Sequence, residues 1–302
     1  MALTSARDRV RGIGVAAVAG ALMLATVFAV PAVRERLRQV RRQLLMQPLY
    51  EPADFDLLQL EVDGLVEPTT LEFGPDGRLY VAETGGQIKV LDVERGEDGV
   101  FRVIRNEVIS AVYETINHDD HGKPVPQVVG RLITGMAVAG TADSPLIYVA
   151  SSDPRLFSRD VDTNSGIISR LDRVSGLWVR TDLVRGLPRS RGDHAPHGIA
   201  LDAPRGKLLL SQGGNTNAGA RSSDFLDLPE YALTAAVLEI DLNAIVDPPY
   251  DLPTLDDDDR PGSPDENDPF GGNGGKNQAI ESPDGPVRIH ATGIRNSYDV
   301  LL

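Results

Sequence analysis

The 302-residue chain contains no cysteine. Disulfide frameworks, thiolate-ligated metals and cysteine nucleophiles are therefore excluded. Aromatic residues make up only 5 %, whereas glycine (30) and proline (21) are plentiful. Frequent turns and few long helices follow, which points to an all-β fold. Beyond residue 42 acidic residues outnumber basic ones. Residues 1–42 hold eight arginines against Asp8 and Glu35, net +6, so with −14 overall the remainder carries −20. A body that acidic repels phosphate backbones, and nucleic acid is excluded as a partner. The apolar content, 41 %, is that of a soluble core, and the length suits one large domain or two ordinary ones.

The basic excess belongs to the N-terminus. Between Arg11 and Arg34 lie 22 uncharged residues, GIGVAAVAGALMLATVFAVPAV, enough to cross a bilayer core at ~1.5 Å rise per residue. Residues 1–50 are read as an N-terminal membrane anchor or signal segment with a basic flank. Val30-Pro31-Ala32 offers a small-residue cleavage site, but the apolar run is long for a signal peptide and arginines follow it directly, which favours an uncleaved transmembrane helix. Arg34, Arg36, Arg38, Arg41 and Arg42 outnumber Arg7, Arg9 and Arg11, so charge taken alone would keep the body cytoplasmic.

Residues 51–302 carry a recurring unit. Each copy opens with a short apolar segment: TLEF (70–73), GMAV (135–138) and GIAL (198–201). A turn and a strand follow, in PDGRLYVAE, ADSPLIYVASS and APRGKLLLSQG; then comes a second alternating strand, in GQIKVLDV, SGIISRLDR and LTAAVLEIDL. Strand pairs joined by tight turns and repeated with variable connections predict a β-propeller, whereas a sandwich does not require the same order three times. A fourth start is read at ATGIRNSYDVLL (291–302). Three to four blades fall short of most closed rings, so a partial propeller is expected. An Asp-, Gly- and Pro-rich insertion at 250–286 reads as a loop. Its run Asp256 to Asp259 with Asp265, Glu266 and Asp268 lacks calcium-loop spacing and is taken as a solvated acidic segment.

Segments entering the inner strands of a propeller converge on the central channel. Asp193, His194 and His197 precede the third start; Arg295 and Asn296 lie inside the fourth. A histidine beside a carboxylate suits a general base near neutral pH, and the carboxylate is expected to raise its pKa. An Arg-Asn pair suits an anionic oxygen or a carbonyl.

PDGRLYVAE, SGIISRLDR, GLPRSRGDHAPHGIALD, LLSQGGNTNAG and ATGIRNSYD resemble the glucose/sorbosone dehydrogenase family, the propellers related to soluble quinoprotein glucose dehydrogenase, from about residue 60 onward. The resemblance implies a six-bladed propeller that holds pyrroloquinoline quinone (PQQ) and calcium and oxidises a sugar hydroxyl by hydride transfer to the quinone. By position it makes His194 the base, has Asp193 orient it or contact the sugar, sets Arg295 and Asn296 against quinone oxygens and gives Gln212 a sugar contact. It assigns no metal ligand in this chain, since the family's calcium-bearing Gly-Pro segment and later basic contacts correspond to positions past 302. Residues 130–136, GRLITGM, depart from the Gly-Leu-Leu-Gly pattern of quinone-binding members. Because such propellers mostly work outside the cytoplasm, the body is expected on the extracytoplasmic side of the cell envelope, anchored or secreted. His197 fits no family role and is expected to cap backbone groups before Gly198.

Two functions from different classes remain open. One is a PQQ-dependent sugar dehydrogenase. The other is a non-catalytic membrane-tethered propeller that binds a glycan or a protein. A calcium-dependent lactonase is disfavoured, because the inner segments supply His194, Arg295 and Asn296 rather than several carboxylates.

Overall fold

The computed structural model describes residues 58–255 and 269–302. The predicted membrane segment and the acidic run at 256–268 lie outside the described residues. The described residues from Gln59 onward belong to one compact unit and are all-β, with four short 3-10 turns among them.

The first sheet comprises β1 (Pro68–Phe73), β2 (Leu79–Glu83), β3 (Ile88–Arg95) and β4 (Phe101–Ile109), in that order and antiparallel throughout. The second contains β5 (Leu132–Gly140), β6 (Pro145–Ser152), β7 (Gly166–Val174) and β8 (Leu177–Leu187), and the third contains β9 (Pro196–Asp202), β10 (Lys207–Gln212), β11 (Ala236–Asp241) and, outermost, β13 (Val287–Thr292). The three sheets follow one another along the chain, each containing one copy of the sequence repeat, and they do not close on themselves. Second strands are covered on both faces, so LYVAE in β2 is buried throughout, whereas the outer strand FRVIRNEVI is largely exposed and mixes charged with apolar residues on its exposed positions.

The core lies between adjacent sheets. Tyr80, Ile88, Ile133, Ile147, Val149 and Leu171 fill the space between the first and second; Ile168, Val184, Ile199, Leu208, Leu238 and Ile240 fill that between the second and third. The inner strands are stitched by polar contacts. Glu72 of β1 accepts the Val138 N–H of β5 at 2.8 Å, and the Thr134 hydroxyl of β5 donates to Pro196 O of β9. Gly135 is required here because a β-carbon would overlap His197 O.

The fourth start needs correcting. Val287–Thr292 pairs with β11 as the last strand of the third sheet, so the Ala291-Thr292 opening of the proposed unit finishes the preceding one. The step to a new position begins after Gly293. Gly198 N–H donates to Tyr298 O at 3.0 Å and the Ser211 hydroxyl to Ser297 O, which sets residues 297–299 against β9 much as β9 lies against β5. No strand is formed there. The insertion is also more than a loop: β12 (Tyr250–Asp251) pairs in parallel with Val184–Arg185 of β8, and an Arg185–Asp251 ion pair of 2.6 Å secures it.

Candidate active site

The site residues are carried by the segments leading into β9 and leaving β10 and β13. The loop before β9 is built around Arg189, which is fully buried. Its guanidinium donates to the carbonyls of Ser190 (2.7 Å), Gly192 (2.9 Å), His194 (3.0 Å) and Arg155 (3.1 Å). Among the described residues no carboxylate pairs with it, and burial lowers its pKa to about 10. Ser190 Oγ accepts the N–H groups of Gly192 and His194, closing the loop. Five donors in a rigid fork let one arginine fix several carbonyls at once.

That loop meets the other two segments at Gly213–Gly214. Gly213 N–H donates to Ala195 O at 3.0 Å and Gly214 N–H to Arg295 O at 2.9 Å. A β-carbon on Gly213 would stand 2.7 Å from Asn296 Oδ1 and 2.8 Å from the His194 β-carbon. The three segments can cross this closely only because the side chains are missing.

His194 is 3 % exposed and its Nδ1 lies 2.7 Å from Gly214 O. A carbonyl can only accept, so Nδ1 carries the proton and the lone pair is on Nε2. The expected rise in its pKa is reversed. Burial drives it below the usual value, Arg295 adds to the decrease, and the Gly214 carbonyl and Asp193 oppose it. Sequence proximity to Asp193 could not reveal this, because burial is a property of the fold. The Asp193 carboxylate is 65 % exposed and 3.9 Å from Nε2. Phe225, from the 3-10 turn Ser223–Phe225, packs on the imidazole with ring centres 4.5 Å apart, and the exposed Arg295 guanidinium sits 5.8 Å from the same ring centre.

Asp193, His194, Arg295 and Asn296 are thus brought together. Asn296 turns inward beside the His197 ring and favours that ring's protonated form, although burial dominates and takes the His197 pKa down to about 4. His197 Nε2 accepts the Ala195 N–H at 3.3 Å, the backbone cap expected of it. Gln212 is buried, with its amide donating to Pro188 O and Gly213 O; it faces the loop interior.

Sequence reading missed a second polar assembly beside this crossing. Asp162, fully buried, accepts N–H groups from Asn164, Gly271 and Gly272 through Oδ1, and burial raises its pKa to about 7. Asp120 binds Arg191 and the Gly274 N–H, each at 2.6 Å. The two carboxylates hold residues 271–277 of the insertion against the 160–166 loop. The recurrence of Asn and Gly in PFGGNGGKNQ was the available signal. Among the described residues no group of three or more histidine, aspartate or glutamate side chains converges as a metal site.

No family model matches the chain, and no curated protein matches it. It is similar to the calcium structure of Trichoderma reesei Carbohydrate-Active Enzymes Family AA12, at 16 % identity and a TM-score of 0.40 over 64 % of this chain and 40 % of that one. The holo PQQ domain of pyranose dehydrogenase from Coprinopsis cinerea matches at 15 % identity and a TM-score of 0.36, covering 60 % of this chain and 35 % of that one. A putative oxidoreductase (glucose dehydrogenase) from Thermus thermophilus matches at 20 % identity and a TM-score of 0.34, covering 58 % of this chain and 44 % of that one. The chain therefore spans less than half the length of each of these structures.

Proposed function

We propose that this chain belongs to a sugar-oxidising propeller in which His194 takes the proton of a sugar hydroxyl while hydride leaves the carbon that bears it. One observation carries the reading: His194 is held as the Nδ1–H tautomer by Gly214 O, with the lone pair on Nε2 and a pKa below the ordinary histidine value. Such an imidazole is a neutral base at pH 7 without prior deprotonation. The proton goes to Nε2, the hydride pair to an acceptor, and the carbinol becomes a carbonyl.

PQQ, when bound, would supply that acceptor. Arg295 fits an anionic edge of such a group, since it is exposed, makes no ion pair among the described residues and is braced over Phe225. Asn296 fits less well, because its Oδ1 is buried. No calcium ligand is assigned among the described residues, and no step is assigned to calcium. The burial of His194 favours a second reading, a propeller that binds a glycan without turnover. In either case residues 12–33 would hold the body at a membrane, on its extracytoplasmic side.

The substitutions that separate these readings are His194→Asn and His197→Ala, assayed with PQQ, calcium and an artificial electron acceptor. His194→Asn should cut turnover ~10²-fold or more while quinone binding persists. His197→Ala should cost ~1–3 kcal/mol of stability with turnover of the folded protein retained. Equal effects of the two would remove the case for a base.

A further inference from the structure

Glu230 lies between the 3-10 turn Ser223–Phe225 and β11, and its half-buried carboxylate holds the segment that leaves β10. Oε2 accepts the Asn215 N–H at 2.8 Å, and Oε1 accepts the Thr216 N–H at 3.0 Å and the Thr216 hydroxyl. The Thr234 hydroxyl donates to Oε2 at 2.6 Å. Burial works against the charge of Glu230, but the bonds from Thr216, Thr234 and Asn215 outweigh it and hold the carboxyl below its ordinary pKa, so it is ionised at neutral pH. This close approach depends on Gly214, where a β-carbon would stand 2.9 Å from Glu230 Oε1.

The Asn215 N–H and the Gly214 carbonyl belong to one peptide unit. That unit is trans, so its N–H and C=O point in opposite directions and fixing one fixes the other. One end meets Glu230 Oε2, and the other lies 2.7 Å from His194 Nδ1. A charged acceptor on the N–H also polarises the amide and makes its carbonyl a stronger acceptor. We propose that Glu230 is the positioning residue of the candidate base, acting through the Gly214–Asn215 peptide to hold His194 as the Nδ1–H tautomer with its lone pair on Nε2. Asp193, its neighbour in sequence, cannot take this part. Its carboxylate is 65 % exposed and stands 3.9 Å from Nε2, where an acceptor favours the opposite tautomer. The consequence for turnover rests on the reading of His194 as a base; the tautomer does not.

The tautomer is read from the imidazole nitrogen shifts of the full-length chain, isotopically labelled at histidine, with neither quinone nor sugar present. Near neutral pH the parent should show His194 as Nδ1–H alone. Glu230→Gln, which keeps the shape but removes the charged acceptor, should lose that single form and gain the Nε2–H tautomer, whereas Asp193→Asn should leave the tautomer as it is. With PQQ and an electron acceptor supplied, turnover of Glu230→Gln should fall in proportion to the Nδ1–H fraction that is lost. Where the Gln protein does not fold, Glu230→Asp, which withdraws the carboxylate by one methylene, is read in the same way. The proposal is overturned by an unchanged Nδ1–H tautomer in the folded Glu230 variant, by an equal shift in Asp193→Asn, or by an Nε2–H form in the parent. A tautomer that responds as expected in a protein that oxidises no sugar would uphold the role of Glu230 and remove the base reading alone.

Discussion

At the scale of single residues, the chain holds several titratable groups far from water, and their burial decides their charge. Asp162 is the clearest case. Its folded pKa, about 7, lies above the unfolded value, so the native state binds the extra proton between about pH 4 and 7 and loses stability as pH rises through that window. An amide at this position can still accept the N–H groups of Gly271 and Gly272. Asp162→Asn should therefore match the parent near pH 4 and exceed it by up to ~4 kcal/mol at pH 8, measured by urea denaturation at both pH values; a constant difference would contradict the assignment. His197 acts in the opposite sense: its pKa near 4 means stability is lost as pH falls below about 6.5. The residues of the site were legible as types and spacings, in GDHAPHG and GIRN. Their protonation was not, because Asp193 is next to His194 in sequence yet less important to it than burial.

At the scale of elements, the inner strands were legible because the same short apolar pattern recurs in GMAV and GIAL. The outer strands β4 and β8 were not read: they are half-exposed and mix charges with apolar residues, so no uniform pattern marks them. The end of the third sheet was misplaced for a related reason. Strand β13 lies after a long insertion, and only pairing with β11 shows where it belongs. The close approach of β5 to β9 gives a sharp test. Gly135→Ala places a methyl group against His197 O, a backbone atom that cannot move without parting two strands, and should cost more than ~3 kcal/mol by overpacking. Gly77→Ala, at φ +76° with open space around it, should cost only ~1 kcal/mol for the turn conformation. Similar melting temperatures for the two proteins would show that β5 and β9 are not packed as described.

At the scale of the whole molecule, three sheets present their inner strands to a cleft of about 750 Å³ lined by β1, β5, β9 and residues 298–302. Among the described residues no helix is long and apolar enough to cross a membrane, and the run at 12–33 lies outside them. Our proposal that this run carries the body outward predicts that an export-dependent reporter joined after residue 60 is active; activity of a cytoplasm-dependent reporter at the same junction would oppose it. The central claim, that the protein oxidises a sugar rather than only binding one, is open to a single direct measurement. Full-length protein is supplied with PQQ and calcium, mixed anaerobically with a panel of aldoses, and followed by the absorbance of the quinone. Reduction of the quinone on sugar addition, slowed ~10²-fold or more by His194→Asn, is the expected result. Saturable sugar binding with no reduction across the panel would contradict the claim and leave a binding propeller.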